Sequence, residues 1–151
     1  GQAWLFSGHS GMGKSTHTAL WHEYAGTPYL NGDLNLIGKR EEGDGYCIYG
    51  IPWCGTSGLC TTETIELGGI ILLERDEEDH VEELSPFEQV LRVTQRMISP
   101  AWTEQMATGN LEFAEQMAEQ TWITQLFCTK NPSAVEVIRK WIDEKNEEIE
   151  A

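Results

Sequence analysis

The chain has 151 residues, 40% of them hydrophobic and six of them tryptophan, which is enough for one domain with a real core and unlike a disordered chain. Its net charge of −15 leaves no basic footprint for a nucleic-acid backbone or an acidic membrane surface. It contains no apolar run of about 18 residues and opens with no signal-peptide pattern, so neither a membrane span nor an export leader is expected.

The chain begins at once with a core-like run, Ala3-Trp4-Leu5-Phe6, which reads as a buried strand. Such a start is expected of a domain whose first strands lie upstream. The next residues, Gly8-His9-Ser10-Gly11-Met12-Gly13-Lys14-Ser15, fit G-x-x-x-x-G-K-[ST], the phosphate-binding P-loop. A triphosphate offers many acceptor oxygens, and a glycine-rich turn can wrap it with backbone N–H groups because no Cβ intervenes. In that pattern Lys14 supplies a point charge for the β and γ phosphates, and the Ser15 hydroxyl can ligate Mg²⁺. Thr16 to Tyr24 reads as a helix with Gly26 as its stop. Strand, glycine turn and helix together would place a phosphate at a helix N-terminus.

Pro28-Tyr29-Leu30 reads as a strand that runs into Asn31-Gly32-Asp33. Leu34 to Ile37 and Tyr46 to Tyr49 read as extended segments about the turn signal Glu41 to Gly45, a hairpin or meander. Gly50 to Gly58 is a second glycine-rich loop. Gly69 to Leu73 is a continuous apolar run, as in a strand buried on both faces. Arg75 to Glu83 reads as a solvated acidic loop. Ser85-Pro86 caps a helix to about Met97, with Phe87, Val90, Leu91 and Thr94 on one face. Further helices are expected over Asn110 to Gln120 and after Asn131-Pro132, the last with an apolar stripe of Ala134, Ile138, Trp141 and Ile142. Between them Trp122 to Cys128 reads as a strand.

Charge is unevenly spread. Residues 1–40 balance at +1 and residues 41–151 at −16, so the phosphate-binding end escapes most of the negative field. The block Glu74 to Glu83, with seven acids and one arginine, is expected to face solvent away from the phosphate site, since it would repel ATP.

Asp33 follows Lys14 by a short interval at the end of an expected strand. A Walker-B-like carboxylate there would hold Mg²⁺ or orient a nucleophile, although Asn-Gly-Asp is also a common turn sequence. Trp53, Gly55, Thr56 and Ser57 offer either N–H groups and hydroxyls to a phosphate or an ordinary turn. His9 occupies an unrestricted position of the motif. His17 and His22 lie on the following helix and read as packed or solvated, and His80 carries no constellation. Cys47, Cys54, Cys60 and Cys128 match neither a zinc pattern nor a disulfide framework, so reduced thiols with structural roles in a cytoplasmic protein are expected, although Cys54 or Cys60 could line the site.

Ser7 to His17, then Trp21, Leu30-Asn31-Gly32-Asp33 and Tyr49-Gly50-Ile51-Pro52-Trp53-Cys54-Gly55, together resemble the HPr-serine-kinase-like proteins. These are short relatives of HPr kinase/phosphorylase and of ATP-dependent phosphoenolpyruvate carboxykinase. The resemblance implies one α/β domain over residues 1–151, with a P-loop-containing mixed β-sheet and flanking helices. It implies ATP with Mg²⁺ or Mn²⁺ as cofactors, and phosphoryl transfer to a hydroxyl, typically of serine, in a protein, peptide or small molecule. Gly8, Ser10, Gly11, Met12, Gly13, Lys14, Ser15 and Thr16 would hold the nucleotide, Ser15 and Asp33 the metal, and Lys14 and Asp33 would act in catalysis. HPr kinases usually carry two adjacent acids where this chain has Gly32-Asp33, and a site histidine upstream of the P-loop. A non-catalytic nucleotide-binding or adaptor module of the same fold is the alternative, and a homo-oligomer is open. A full carboxykinase needs a much longer chain.

Overall fold

Strand β4 (Thr64–Arg75) organises the molecule; the computed structural model describes residues 1–9, 11–55 and 58–151. Its C-terminal part pairs in parallel with β1 (Ala3–Ser7) and with β6 (Trp122–Cys128). Its N-terminal residues pair antiparallel with β3 (Tyr46–Tyr49), which pairs in turn with β2 (Leu36–Lys39). On the far side, β5 (His80–Glu83) runs antiparallel to β6. The sheet is therefore mixed, and the α/β class expected from the sequence is present.

Helices cover both faces, which is why residues 67–73 of β4 are buried without alternation. Ile70 and Leu72 point to one face and join Val93, Ala114 and Met117 from α2 (Pro86–Thr94) and α3 (Glu104–Gln120). Ile71 and Leu73 point to the other and join Ala134, Ile138, Trp141 and Ile142 of α4 (Ser133–Glu150), the stripe expected from the sequence. Trp21 of α1 (Lys14–Ala25) packs on that same cluster. Gly26 ends α1 in the left-handed region, as anticipated, with its N–H on the His22 carbonyl.

Several elements differ from expectation. Residues 28–30 form no strand. Pro28 lacks an N–H, and neighbouring groups bond singly to the 59–61 segment: Gly32 N–H to the Leu59 carbonyl (3.1 Å) and Thr61 N–H to Asn31 Oδ1 (3.3 Å). The acidic stretch 75–83 is no loop throughout, because His80–Glu83 is an edge strand. One partner strand, the partial burial of Val81 and the stacking of His80 on Phe127 (4.7 Å) suffice there, while its acids discourage further pairing at the edge. Helix α2 has a full capping box at Ser85 and Glu88 but stops at Thr94, where bonds of 3₁₀ type take over. Its buried side carries Val90 and Val93, whereas Phe87 is 75% exposed. Helix α3 begins six residues before Asn110, capped by the Thr103 hydroxyl, and runs through Gly109. The N-cap of α4 is Pro132, which makes no side-chain bond. Asp79 ties that terminus down instead, accepting from the Thr129 N–H and the Thr129 and Ser133 hydroxyls. Burial pulls the Asp79 carboxyl upward, but these bonds outweigh it and hold the group below its ordinary value.

The expectation of four reduced thiols is corrected: Cys54 and Cys60 form a disulfide, while Cys47 and Cys128 are free. The Gly58 N–H bonds to the Cys54 carbonyl (3.1 Å) and the two sulfurs meet, a pairing that their spacing alone did not reveal. None of the described helices is long and apolar enough to cross a membrane.

Candidate functional site

The site is built where β1 ends. Gly8 leaves the strand so close to β4 that a Cβ there would stand 3.0 Å from the Leu73 carbonyl oxygen. The chain turns with the Met12 N–H on the His9 carbonyl (3.1 Å) and enters α1 through Gly13. Gly11 (φ 85°) and Gly13 (φ 90°) both lie in the left-handed region, where a side chain would be strained. The helix begins at Lys14 with no side-chain cap and no acid in its first turn. Its first N–H groups, the positive end of the helix, are therefore left without a side-chain acceptor. Ser15 and Thr16 are exposed in that first turn, and Ser10 lies outside the described residues.

Lys14 is half-buried, and its ammonium donates to the Gly8 (2.8 Å) and His9 (3.1 Å) carbonyls, folded back over the turn. Two arginines not anticipated from the sequence flank it. A Cβ on Gly13 would lie 3.9 Å from Arg75 Nε, and Arg96 Nη2 lies 2.8 Å from His9 Nε2. The acidic block thus opens at the glycine-turn end of the sheet with its single cation, rather than wholly away from it. Arg75 could have been found as the residue that ends an apolar parallel strand, the usual edge for ligands in α/β sheets. Nothing in the sequence flags Arg96, which arrives through the placement of α2.

Asp33 reaches the same place. With Gly8 and Lys14 it lines a cavity of about 600 Å³ that extends between residues 34–37 and helices α2 and α3. Gly55 of the disulfide-closed loop presses on it: a Cβ there would overlap the Asp33 carboxylate, and Gly55 has φ 53°. Gly11, Met12, Gly13, Ser15 and Thr16 do not line this cavity. Trp53 of the second glycine loop is 60% exposed, and Thr56 and Ser57 lie outside the described residues. No group of three or more His, Cys, Asp or Glu side chains suited to a metal occurs among the described residues. A magnesium site of the nucleoside-triphosphatase kind asks less of the protein. One hydroxyl and one carboxylate, completed by phosphate oxygens and water, suit that hard cation; Ser15 and Asp33 are of those donor types, and Ser15 lies outside the cavity that Asp33 lines.

Of the histidines on α1, His17 is packed, as expected. It is 2% exposed, edge-on to Phe6 (4.7 Å), and its Nε2 accepts from Trp21 Nε1 (3.1 Å). Its buried Nδ1 has no hydrogen-bond partner among the described residues. Burial lowers its pKa to about 4, against a smaller upward pull from Asp79. The unfolded chain takes up this proton near pH 6.5 and the folded chain only near 4. Stability is therefore fully present above 6.5 and is lost as pH falls from 6.5 to 4. By pH 5 the loss from His17 alone is about 2 kcal/mol, or about 4–8 °C in Tm. Comparing thermal melts at pH 7 and pH 5, the decrement should shrink by that amount in His17→Gln. Equal decrements in both proteins would remove His17 as the source.

Comparison with family models, with curated proteins and with solved structures finds no match for this chain. The functional reading therefore rests on the residues and geometry above.

Proposed function

We propose that this chain is an ATP-dependent phosphotransferase of the HPr-serine-kinase-like class, a P-loop protein that moves the γ-phosphoryl group to a hydroxyl of a protein, peptide or small molecule. The observation that carries the reading is the meeting of three features at one end of the sheet. A left-handed glycine turn feeds an uncapped helix N-terminus, Lys14 lies over that turn, and Asp33 shares a cavity wall with Lys14. The resemblance in the residues of the motif and of Asn31-Gly32-Asp33 supports the same class.

The chemistry asked of the protein is positioning and charge neutralisation. The N–H groups at the start of α1 bind the phosphates, with the exposed Ser15 and Thr16 among them. The Lys14 ammonium exchanges the carbonyls of Gly8 and His9 for phosphate oxygens, which form stronger charge-assisted bonds. Asp33 orients the accepting hydroxyl and takes its proton as the oxygen attacks. Ser15 and Asp33 would hold Mg²⁺ or Mn²⁺, which supplies charge neutralisation at the phosphates when bound. Arg75 and Arg96 add positive potential beside the turn, in a chain that is otherwise strongly acidic.

Incubation with γ-labelled ATP, Mg²⁺ and small serine acceptors tests the reading. The expected result is ATP binding by calorimetry together with labelled product. ATP binding without transfer to any acceptor would favour a non-catalytic nucleotide-binding module of the same fold. Absence of ATP binding would overturn the assignment of the glycine turn.

A further inference from the structure

We propose that the cavity beside Lys14 and Asp33 binds the apolar body of the molecule that carries the accepting hydroxyl, so that the substrate is an alcohol or seryl group borne on an apolar chain. This rests on the phosphotransfer reading and adds the class of acceptor.

Three observations carry it. First, the cavity touches only one end of the glycine turn. Gly8 and Lys14 line it, whereas Gly11, Met12, Gly13, Ser15 and Thr16 do not. A nucleotide held on the helix N-terminus would therefore meet this space only at its reacting end, near Lys14, and would leave the rest to the acceptor.

Second, its volume of about 600 Å³ is that of a small-molecule site, and its walls are mostly apolar, with Asn35 and Arg96 as polar groups besides Lys14 and Asp33. Leu72, Val93, Met97, Phe113 and Met117 face it, from β4, α2, the turn after α2, and α3. Two of the polar groups farther along, Ser99 and Asn110, are already engaged with each other. Ser99 Oγ donates to Asn110 Oδ1 (2.8 Å), and Asn110 Nδ2 donates to the Pro100 carbonyl (3.1 Å). A polar acceptor body would have to break these bonds or lose its own water without replacement, which costs more than it returns.

Third, the rim is apolar and open. Leu34, Leu36 and Ile98 line the cavity, yet are 37%, 53% and 87% exposed. An apolar chain that enters there would cover them as well as the walls.

In the reaction the hydroxyl oxygen forms a bond to the γ-phosphorus. The bond from that phosphorus to the bridging β,γ-oxygen breaks, and ADP leaves with the electron pair. The hydroxyl proton passes to the Asp33 carboxylate and then to water.

The test holds the hydroxyl constant and varies the apolar body: N-acetyl-, N-butanoyl- and N-hexanoyl-serine amide, with ATP and Mg²⁺. Burying a methylene is worth about fourfold, so kcat/KM should rise by about two-hundredfold from acetyl to hexanoyl if all four added methylenes are buried. In Ile98→Asp at the exposed rim that ratio should collapse toward one, with ATP affinity unchanged. If ATP binds but no transfer occurs, equilibrium binding of the three amides to the ATP-loaded protein is read instead. The same dependence on chain length supports the proposal, and its absence overturns it. Equal rates for acetyl and hexanoyl acceptors also overturn it, without touching the phosphotransfer reading. So does Phe113→Asp if it weakens ATP but not inorganic tripolyphosphate, because the cavity would then hold the base. Failure of ATP to bind the unaltered protein removes the phosphotransfer reading first, and this proposal with it.

Discussion

Replacing Lys14 with alanine is expected to lower ATP affinity by about tenfold to a hundredfold and turnover by about 10²–10³, with little change in thermal stability. The asymmetry follows from what Lys14 touches. In the protein alone its ammonium bonds only to the carbonyls of Gly8 and His9, at the edge of the site, where water replaces it cheaply. With a triphosphate present it is, among the described residues, the cation that lies over the turn. The flanking guanidiniums cannot stand in. Arg96 is held by His9, and Arg75 approaches from the Gly13 side. Calorimetric titration of wild type and Lys14→Ala with ATP, beside their melting curves, separates the outcomes. Unchanged affinity in a folded variant would remove the glycine turn as a phosphate site. A large drop in Tm would instead show Lys14 to be structural.

Much of this site was legible in the sequence because it is local. The positions of Gly11, Gly13 and Lys14 within a few residues dictate the left-handed turn and the helix start, whatever the rest of the chain does. The continuous apolar run 69–73 likewise announced a strand covered on both faces, and the stripe Ala134, Ile138, Trp141, Ile142 announced the inner face of α4. What the sequence withheld is non-local. Residues 28–30 read as a strand by composition, yet the Gly32 N–H and the Asn31 side chain that follow bond to residues 59–61, a partner no local pattern names. Strand β5 was hidden by its acids, since an edge strand needs only one half-buried apolar side chain and one partner. Arg96 reaches the site because α2 stops at Thr94, three residues earlier than its sequence predicts. The Cys54–Cys60 link and the pressing of Gly55 on Asp33 belong to the same glycine loop, and a one-dimensional spacing does not show which way such a loop folds.

That contact between Gly55 and Asp33 leads to the second large effect. Asp33→Asn keeps the volume of the side chain but removes both its charge and its capacity to take a proton. Turnover should fall by about 10²–10⁴. ATP affinity measured without metal should stay within about threefold, since the phosphates are held by the turn and by Lys14. Gly55→Ala should lower turnover too, although it alters no reacting group. Its methyl overlaps the Asp33 carboxylate and must displace it, and its φ of 53° adds about 1–2 kcal/mol of backbone strain. The double variant decides whether Gly55 acts through Asp33. A positioning residue has nothing left to position once the carboxylate is an amide. Asp33→Asn with Gly55→Ala should therefore turn over no more slowly than Asp33→Asn alone, while the destabilisation from Gly55→Ala persists in the melting curve. Multiplying losses in turnover would mean that Gly55 acts elsewhere in the site. Full turnover in Asp33→Asn would remove the carboxylate from the mechanism and leave the glycine turn to stand as a binding site alone.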